Sequence, residues 1–253
     1  MQRGKHQAWF RFYEELNDFL CPEWVKTTFV YSFKGNPAIK DVIEAMGVPH
    51  TEVDLIIVNQ RSVDFQYPLQ PEDRVSVYPV FESLDISPVI RLRAKPLRHP
   101  RFVIDVHLGK LSRWLRLLGF DALYSNTFED EEIVQLALRE HRIILTQDRG
   151  ILKRKCVTHG YWVRAHQARL QIAEVLDRFD LYHQIHPFTR CLVCNGRVHP
   201  VEKSKILHRL QPRTKAYFDA FYQCEGCGKI YWRGSHYERM LKRMREIIPL
   251  KNH

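Results

Sequence analysis

Three aspartates and four cysteines carry the patterns in this chain that could do chemistry. Asp105 closes the apolar run Arg101-Phe-Val-Ile-Asp105, and Asp148 closes Arg142-Ile-Ile-Leu-Thr-Gln-Asp148. Both have the form of a buried parallel strand whose C-terminal end opens into a site. Asp130 stands at the start of a helical pattern, so the three carboxylates could converge on one hard cation. Mg²⁺ or Mn²⁺ takes oxygen ligands, and such ions ready a water and stabilise the leaving oxygen in phosphodiester hydrolysis. Each acid also has a plainer role. Asp130 can cap the helix after it, with Glu131 and Glu132 favourable to the helix dipole. Those two glutamates also stand in reserve for Asp130 as ligands. Asp148, before Arg149-Gly150, suits a turn. Asp105 is the hardest to explain structurally, because a carboxylate ending a buried strand is costly.

Of six cysteines, Cys21 and Cys156 stand alone, and the others form two Cys-x-x-Cys pairs, Cys191/Cys194 and Cys224/Cys227. Disulfide frameworks belong to small secreted chains, whereas paired Cys-x-x-Cys motifs in a long chain read as a zinc site. Each pair can close a turn around one tetrahedral Zn²⁺, with Gly196, Gly226 and Gly228 at the knuckles. An all-cysteine set implies a closed, structural site. The 29 residues from Asn195 to Gln223 exceed the commonest spacing. They leave room for an insertion and admit His199 or His208 as rival ligands. A redox pair is the competing interpretation, disfavoured because there are two pairs.

The elements that must position these residues follow from periodicity. Leu108, Leu111, Leu115 and Leu118 make a helical stripe stopped by Gly119, and Glu131 to Arg142 makes a second around Ile133, Leu136 and Ala137. Strands alternating with helices imply a parallel sheet. Upstream, Ala8–Tyr13 and Thr27–Phe33 read as strands, Ala38–Met46 as a helix closed by Gly47, and Leu55–Asn59 and Arg74–Pro79 as two more strands. The stretch Pro88–Pro100, with three prolines and four cations, reads as a linker. A further boundary is expected near Pro187, where helical patterning fades. The 253 residues suffice for about two compact domains. No run approaches the roughly 18 apolar residues of a membrane span, and no apolar stretch follows Met1–Lys5, so a cytoplasmic protein is expected. Residues 1–95 are net −2, with 11 Lys and Arg against 13 Asp and Glu, and the remainder is net +12, with 28 against 16. A basic C-terminal part points to a polyanion, most often nucleic acid.

The order strand, strand, helix, strand, strand suits a β-grasp domain. Val53-Asp-Leu-Ile-Ile-Val-Asn59 and Leu69-Gln-Pro-Glu-Asp-Arg-Val-Ser-Val-Tyr-Pro79 resemble small ubiquitin-like sulfur carriers. Those carriers end in Gly-Gly, but here the last strand runs into Phe81-Glu-Ser-Leu-Asp-Ile, which argues against sulfur carriage. Downstream, Phe102-Val-Ile-Asp-Val-His-Leu-Gly-Lys-Leu-Ser-Arg-Trp-Leu-Arg-Leu-Leu-Gly119, Asp130-Glu-Glu-Ile and Ile144-Leu-Thr-Gln-Asp-Arg149 closely resemble the mutator-seven C-terminal (Mut7-C) ribonuclease family, a branch of the PIN-like nucleases. The likeness continues through Cys191-Leu-Val-Cys-Asn-Gly196 and Cys224-Glu-Gly-Cys-Gly-Lys-Ile-Tyr-Trp-Arg-Gly-Ser-His236, and a ubiquitin-like domain is a companion in that family. The resemblance implies a metal-dependent ribonuclease with Asp105, Asp130 and Asp148 as acidic ligands of Mg²⁺ or Mn²⁺.

Beyond Phe188, the cations Arg190, Arg197, Lys203, Lys205, Arg209, Arg213, Lys215 and Lys229 alternate with Tyr217, Tyr222, Tyr231 and Trp232. Cations hold phosphates and exposed rings stack unpaired bases, which suits single-stranded RNA. The same rings could instead form the core of a small zinc module. Lys110 and Arg113 lie off the leucine stripe and could clamp a scissile phosphate or face solvent. His236 could touch RNA or be structural. The expectation is an α/β protein of three domains: a ubiquitin-like β-grasp domain at 1–95, a PIN-like domain at 100–187, and a zinc ribbon with a basic extension at 188–253. It would hydrolyse single-stranded RNA, its β-grasp domain docking an unknown protein. The alternative is a non-catalytic RNA-binding or ribosome-associated adaptor working through the ribbon.

Overall fold

The computed structural model describes residues 6–79 and 100–247. The linker expected at Pro88–Pro100, apart from Pro100 itself, and the stretch Phe81–Ile86 lie outside those residues. The chain divides into two units, one of residues 1–99 with Asp148–Trp162 and one of Pro100–Gln147 with Val163–His253.

In the first unit, β1 (His6–Phe12) turns Ala8, Phe10 and Phe12 inward, the two-residue period of a strand with one buried face. It pairs antiparallel with β2 (Phe29–Phe33). Helix α1 (Ile39–Ala45) gives Ile39, Val42 and Ile43 to the same core. Strands β3 (Val53–Val58), β4 (Arg61–Val63) and β5 (Arg74–Pro79) complete a sheet of order β2-β1-β5-β3-β4, in which β1 and β5 run parallel. The expected element order is present, with the three-residue β4 added to it. The Leu69–Pro79 motif owes its shape to Asp73. Its buried carboxylate accepts from Asn59 Nδ2 (2.8 Å), Tyr67 OH (3.1 Å) and the Gln70 N–H (2.9 Å), so the turn into β5 closes around one satisfied acid.

The second unit begins with β6 (Arg101–Ile104), buried from Phe102 to Ile104, as a central parallel strand must be. It leads through a 3-10 turn into α2 (Gly109–Leu117), then β7 (Asp121–Leu123), α3 (Asp130–Glu140) and β8 (Ile143–Thr146). Within the unit the strands lie in the order β7-β6-β8, both neighbours parallel to β6, the topology that alternating strands and helices require. The second helix ends earlier than periodicity indicated. His141 takes the left-handed conformation at its C-cap, and Arg142 is buried beyond it. Gly119 ends α2 at φ +97°, and a Cβ there would lie 2.2 Å from the His186 carbonyl oxygen. Only glycine allows the later chain to pass so close.

After β8 the chain supplies α4 (Arg149–Leu152) and β9 (Gly160–Trp162) to the first unit. The His50 ring nitrogens lie 2.5 Å from Glu44 Oε1 and 2.7 Å from the Val157 carbonyl. Glu52 Oε1 accepts from the Trp162 N–H at 2.8 Å, and the Arg149 guanidinium lies over the rings of Trp162 (3.9 Å) and Phe19 (4.9 Å).

The second unit resumes with α5 (Ala168–Arg178) and an antiparallel sheet of β10 (Val198–Val201), β11 (Phe221–Cys224) and β12 (Ile230–Trp232). Between β10 and β11 lie α6 (Lys203–Ile206) and α7 (Pro212–Tyr217). These fill the long interval between the cysteine pairs, and Ile206, Leu210 and Phe221 form a small core there. A last helix, α8 (Ser235–Ile247), follows where no helix was expected. Its stripe Tyr237, Met240, Leu241 and Met244 is half-buried, and Ile247 is buried.

Candidate functional site

Asp105 follows the last residue of β6, and its N–H donates to the Leu145 carbonyl of β8 at 3.0 Å. The carboxylate is buried. Its Oδ2 accepts from Thr146 Oγ1 at 2.7 Å, and its Oδ1 accepts from the His107 N–H at 3.3 Å. Thr146, fully buried as the last residue of β8, escaped the sequence reading. Its signal is a hydroxyl two residues before Asp148 at the end of an apolar run.

Asp130 is exposed and is the first residue of α3 rather than its cap, since Glu129 holds the N-cap position. Glu131 accepts from Gln135 Nε2 at 2.9 Å one turn along the helix. Asp148, also exposed, caps α4, its Oδ1 accepting from the Gly150 N–H at 2.7 Å, so the helix-start chemistry falls to it. Lys110 and Arg113 are exposed on α2 and line an open cleft of about 710 Å³ together with His107, Tyr124, Gln147 and His166.

The four paired cysteines gather. Among the described residues they are the one group of three or more Cys, His, Asp or Glu side chains whose ligand atoms lie within 4.8 Å of one another. Asp105 and Asp130 are not drawn into such a group. Cys191 and Cys227 sulfurs are 3.6 Å apart, and those of Cys194 and Cys224 are 3.3 Å apart. A tetrahedral ion with bonds of about 2.3 Å would space its sulfurs roughly 3.8 Å apart, so the set fits such an ion. A Cβ on Gly196 would stand 2.9 Å from Cys224 Sγ, which explains the glycine at that knuckle. Burial works to raise the Cys191 thiol, but the Tyr231 hydroxyl (3.0 Å) and the N–H groups of Cys194 and Val193 outweigh it and bring its pKa down to about 6. Cys191 therefore favours the thiolate, the form that ligates metals. Burial, reinforced by that contact, pushes Tyr231 well above the usual phenol range, and burial likewise pushes Cys224 up. His199 is outside the group and lies 3.1 Å from Glu225 Oε2; His208 is outside it too.

The first knuckle is fastened to β7 by residues that periodicity does not single out. Asp121 accepts from Arg142 Nη1 (2.7 Å), Asn195 Nδ2 (2.8 Å) and Arg190 Nη2 (3.2 Å). The Ala122 N–H donates to Asn195 Oδ1 at 2.9 Å, and buried Arg116 bridges the Ala122, Leu192 and Val193 carbonyls. Burial opposes the charge on Asp121, but the bonds from Arg142 and Asn195 prevail and hold its carboxyl below the usual range. A depressed folded value stabilises the fold above the unfolded aspartate pKa near 3.9, and the contribution is lost as pH falls through the folded value. Asp121→Asn, which removes a charge partner from Arg190 and leaves Arg142 with Glu140 alone, is expected to cost about 2 kcal/mol at neutral pH. The gap between the two denaturation curves should close on acidification below roughly pH 4. A gap constant with pH would show that the charge of Asp121 contributes nothing.

Tyr231, Trp232 and His236 line a second cleft, of about 480 Å³, with Phe188 and Tyr237 among its other walls. Trp232 and Tyr217 are exposed, Tyr222 and Tyr231 half-buried, and Phe221 buried, so the rings divide between surface and core. Among the described residues no helix is long and apolar enough to cross a membrane.

Residues 100–244 match the model of the Mut7-C RNAse domain, more than half of the chain. The chain belongs to the Mut7-C RNAse domain family. Residues 5–85 match the Mut7-C ubiquitin domain, so the β1–β5 sheet is the ubiquitin-like companion of a Mut7-C protein. No curated protein and no solved structure matches the chain. The Mut7-C match spans the parallel sheet, both clefts and all four clustered cysteines.

Proposed function

We propose that this Mut7-C protein is a metal-dependent ribonuclease acting on single-stranded RNA, with Asp105, Asp130 and Asp148 as the carboxylates that hold catalytic Mg²⁺ or Mn²⁺. The observation that carries this reading is the buried Asp105 carboxylate at the C-terminal end of the central parallel strand, oriented by Thr146. Burying a carboxylate is costly, and an all-oxygen acidic set suits a hard divalent ion. When bound, such an ion supplies activated water and charge stabilisation for phosphodiester hydrolysis. This chain's own residues supply the rest: Thr146 fixes the Asp105 carboxylate, and Lys110 and Arg113 hold a substrate phosphate in the cleft they line. The four cysteines hold a structural Zn²⁺, as their spacing and closed set favour. Tyr231, Trp232 and His236 contact RNA. Three domains, at 1–95, 100–187 and 188–253, form part of this reading, with the ubiquitin-like one docking a protein partner.

The direct test incubates zinc-loaded protein with end-labelled single-stranded RNA, with and without Mn²⁺ or Mg²⁺. Cleavage is expected only with the added ion, and the product ladder separates endonucleolytic from exonucleolytic action. RNA binding that weakens with salt, without any ion-dependent cleavage, would replace the nuclease by a non-catalytic RNA-binding adaptor.

A further inference from the structure

The cleft beside the ribbon has a composition of its own. Its volume of about 480 Å³ falls within the roughly 300–1,000 Å³ of small-ligand sites. Phe188 and Tyr237 pack ring to ring at 4.4 Å on one side, and Tyr231 and Trp232 from β12 present further aromatic surface. Two cations stand over these rings. Lys229 Nζ is 6.0 Å from the Tyr231 centroid, and the Arg233 guanidinium is 5.7 Å from that of Tyr237. No lining residue is acidic.

The first turn of α8 lines the same space, and the leading N–H groups of a helix have no intrahelical acceptor. The acidic residue of that turn, Glu238, is not among the lining residues. Aromatic faces thus meet a positive rim with no opposing acid. An apolar peptide would use the rings but not the rim, and an inorganic anion would use the rim but not the rings. A flat aromatic group joined to a phosphate uses both.

From this juxtaposition we propose that the cleft is a nucleotide pocket, taking one unpaired base of the RNA against the rings of Trp232 and Tyr231, with its phosphate toward Lys229, Arg233 and the first turn of α8. The proposal rests on the RNA reading above and deepens it. The pocket selects for single strands, because a base inside a duplex cannot leave its stack without losing its pairing. Tyr231 also contacts the zinc ligand Cys191, so it is not the residue to change first.

The test is equilibrium binding of a short labelled RNA, single-stranded or as a blunt duplex, to the zinc-loaded full chain carrying Asp105→Asn. Recovery of the RNA on a denaturing gel reports separately on cleavage. Adding Trp232→Ala should weaken single-strand binding about 10-fold, the scale of one base stack, and leave duplex binding unchanged. Lys229→Ala with Arg233→Ala, both at exposed positions, should reduce the slope of log affinity against log salt for the single strand by about 1.4. Unchanged single-strand affinity in both variants, or equal loss for single strand and duplex, overturns the pocket. Failure of the nuclease reading shows elsewhere, as wild-type protein that leaves RNA intact with Mn²⁺.

Discussion

Asp105→Asn is expected to lower ion-dependent RNA cleavage on the order of 1,000-fold, which corresponds to the several kcal/mol that a correctly held divalent ion contributes to such a transition state. The substitution keeps the shape of the side chain. An asparagine carbonyl oxygen can still accept from Thr146 Oγ1, and the N–H of residue 105 still donates to Leu145 across β6 and β8. What disappears is the negative charge at a buried point. Folded stability should change little: a neutral amide costs less to bury than a carboxylate, but its NH2 group then faces the His107 N–H and that one acceptor is lost. RNA affinity should stay within about two-fold, since Lys110 and Arg113 and the ribbon cleft are untouched. Single-turnover cleavage together with a thermal melt decides the matter: a well-folded variant cutting RNA at the wild-type rate would remove Asp105 from the proposed chemistry.

Removing the zinc that the four cysteines are proposed to hold should have the largest structural effect. The module built on β10, β11 and β12 has three buried residues in its own core, Ile206, Leu210 and Phe221, too few to hold a segment of that length without a staple. Two of the four sulfurs are buried, and each knuckle closes by a backbone bond to a cysteine, Cys191 N–H to Gly196 and Gly228 N–H to Cys224. Cys224→Ser should therefore reduce zinc from about one ion per chain to a trace and open the region after β10 to proteases. The β1–β5 sheet, with a core of its own, should survive the same digestion. Equal resistance of zinc-loaded and zinc-free protein after residue 188 would show that the module is held by packing alone.

How far the sequence carried this picture depended on the reach of each interaction. Phe102-Val-Ile announced a buried strand because burial on both faces leaves an unbroken apolar run. Leu111 and Leu115 announced a helix by their spacing, and the cysteine pairs announced their turn geometry by standing three positions apart. Asp121 gave no such signal. Its partners, Arg142, Arg190 and Asn195, lie far along the chain, and a single acid after Gly119-Phe120 looks like any loop residue. Arg116 reads as one more cation on a basic helix, yet it is buried and spends its donors on three carbonyls. Helix α8 was missed because its apolar stripe rests on methionine and tyrosine among many cations, and the stripe became legible only once something lay beneath it. Asp148 belongs to the same lesson, since the Asp-Arg-Gly that suggested a turn is the start of a short helix.

The segment Asp148–Trp162 has a consequence for how the protein is made. Its contacts through His50, Glu52 and Arg149 belong to the ubiquitin-like unit, although more than forty residues of the second unit are translated before it. A ribosome that has released residue 99 has therefore not released a finished first unit. That unit waits for the contacts that Val157 and Trp162 make to His50 and Glu52 until Trp162 emerges. Synthesis thus interlocks the two units in time, and a chain shortened to begin at Pro100 would carry α4 and β9 with no first unit for them to complete.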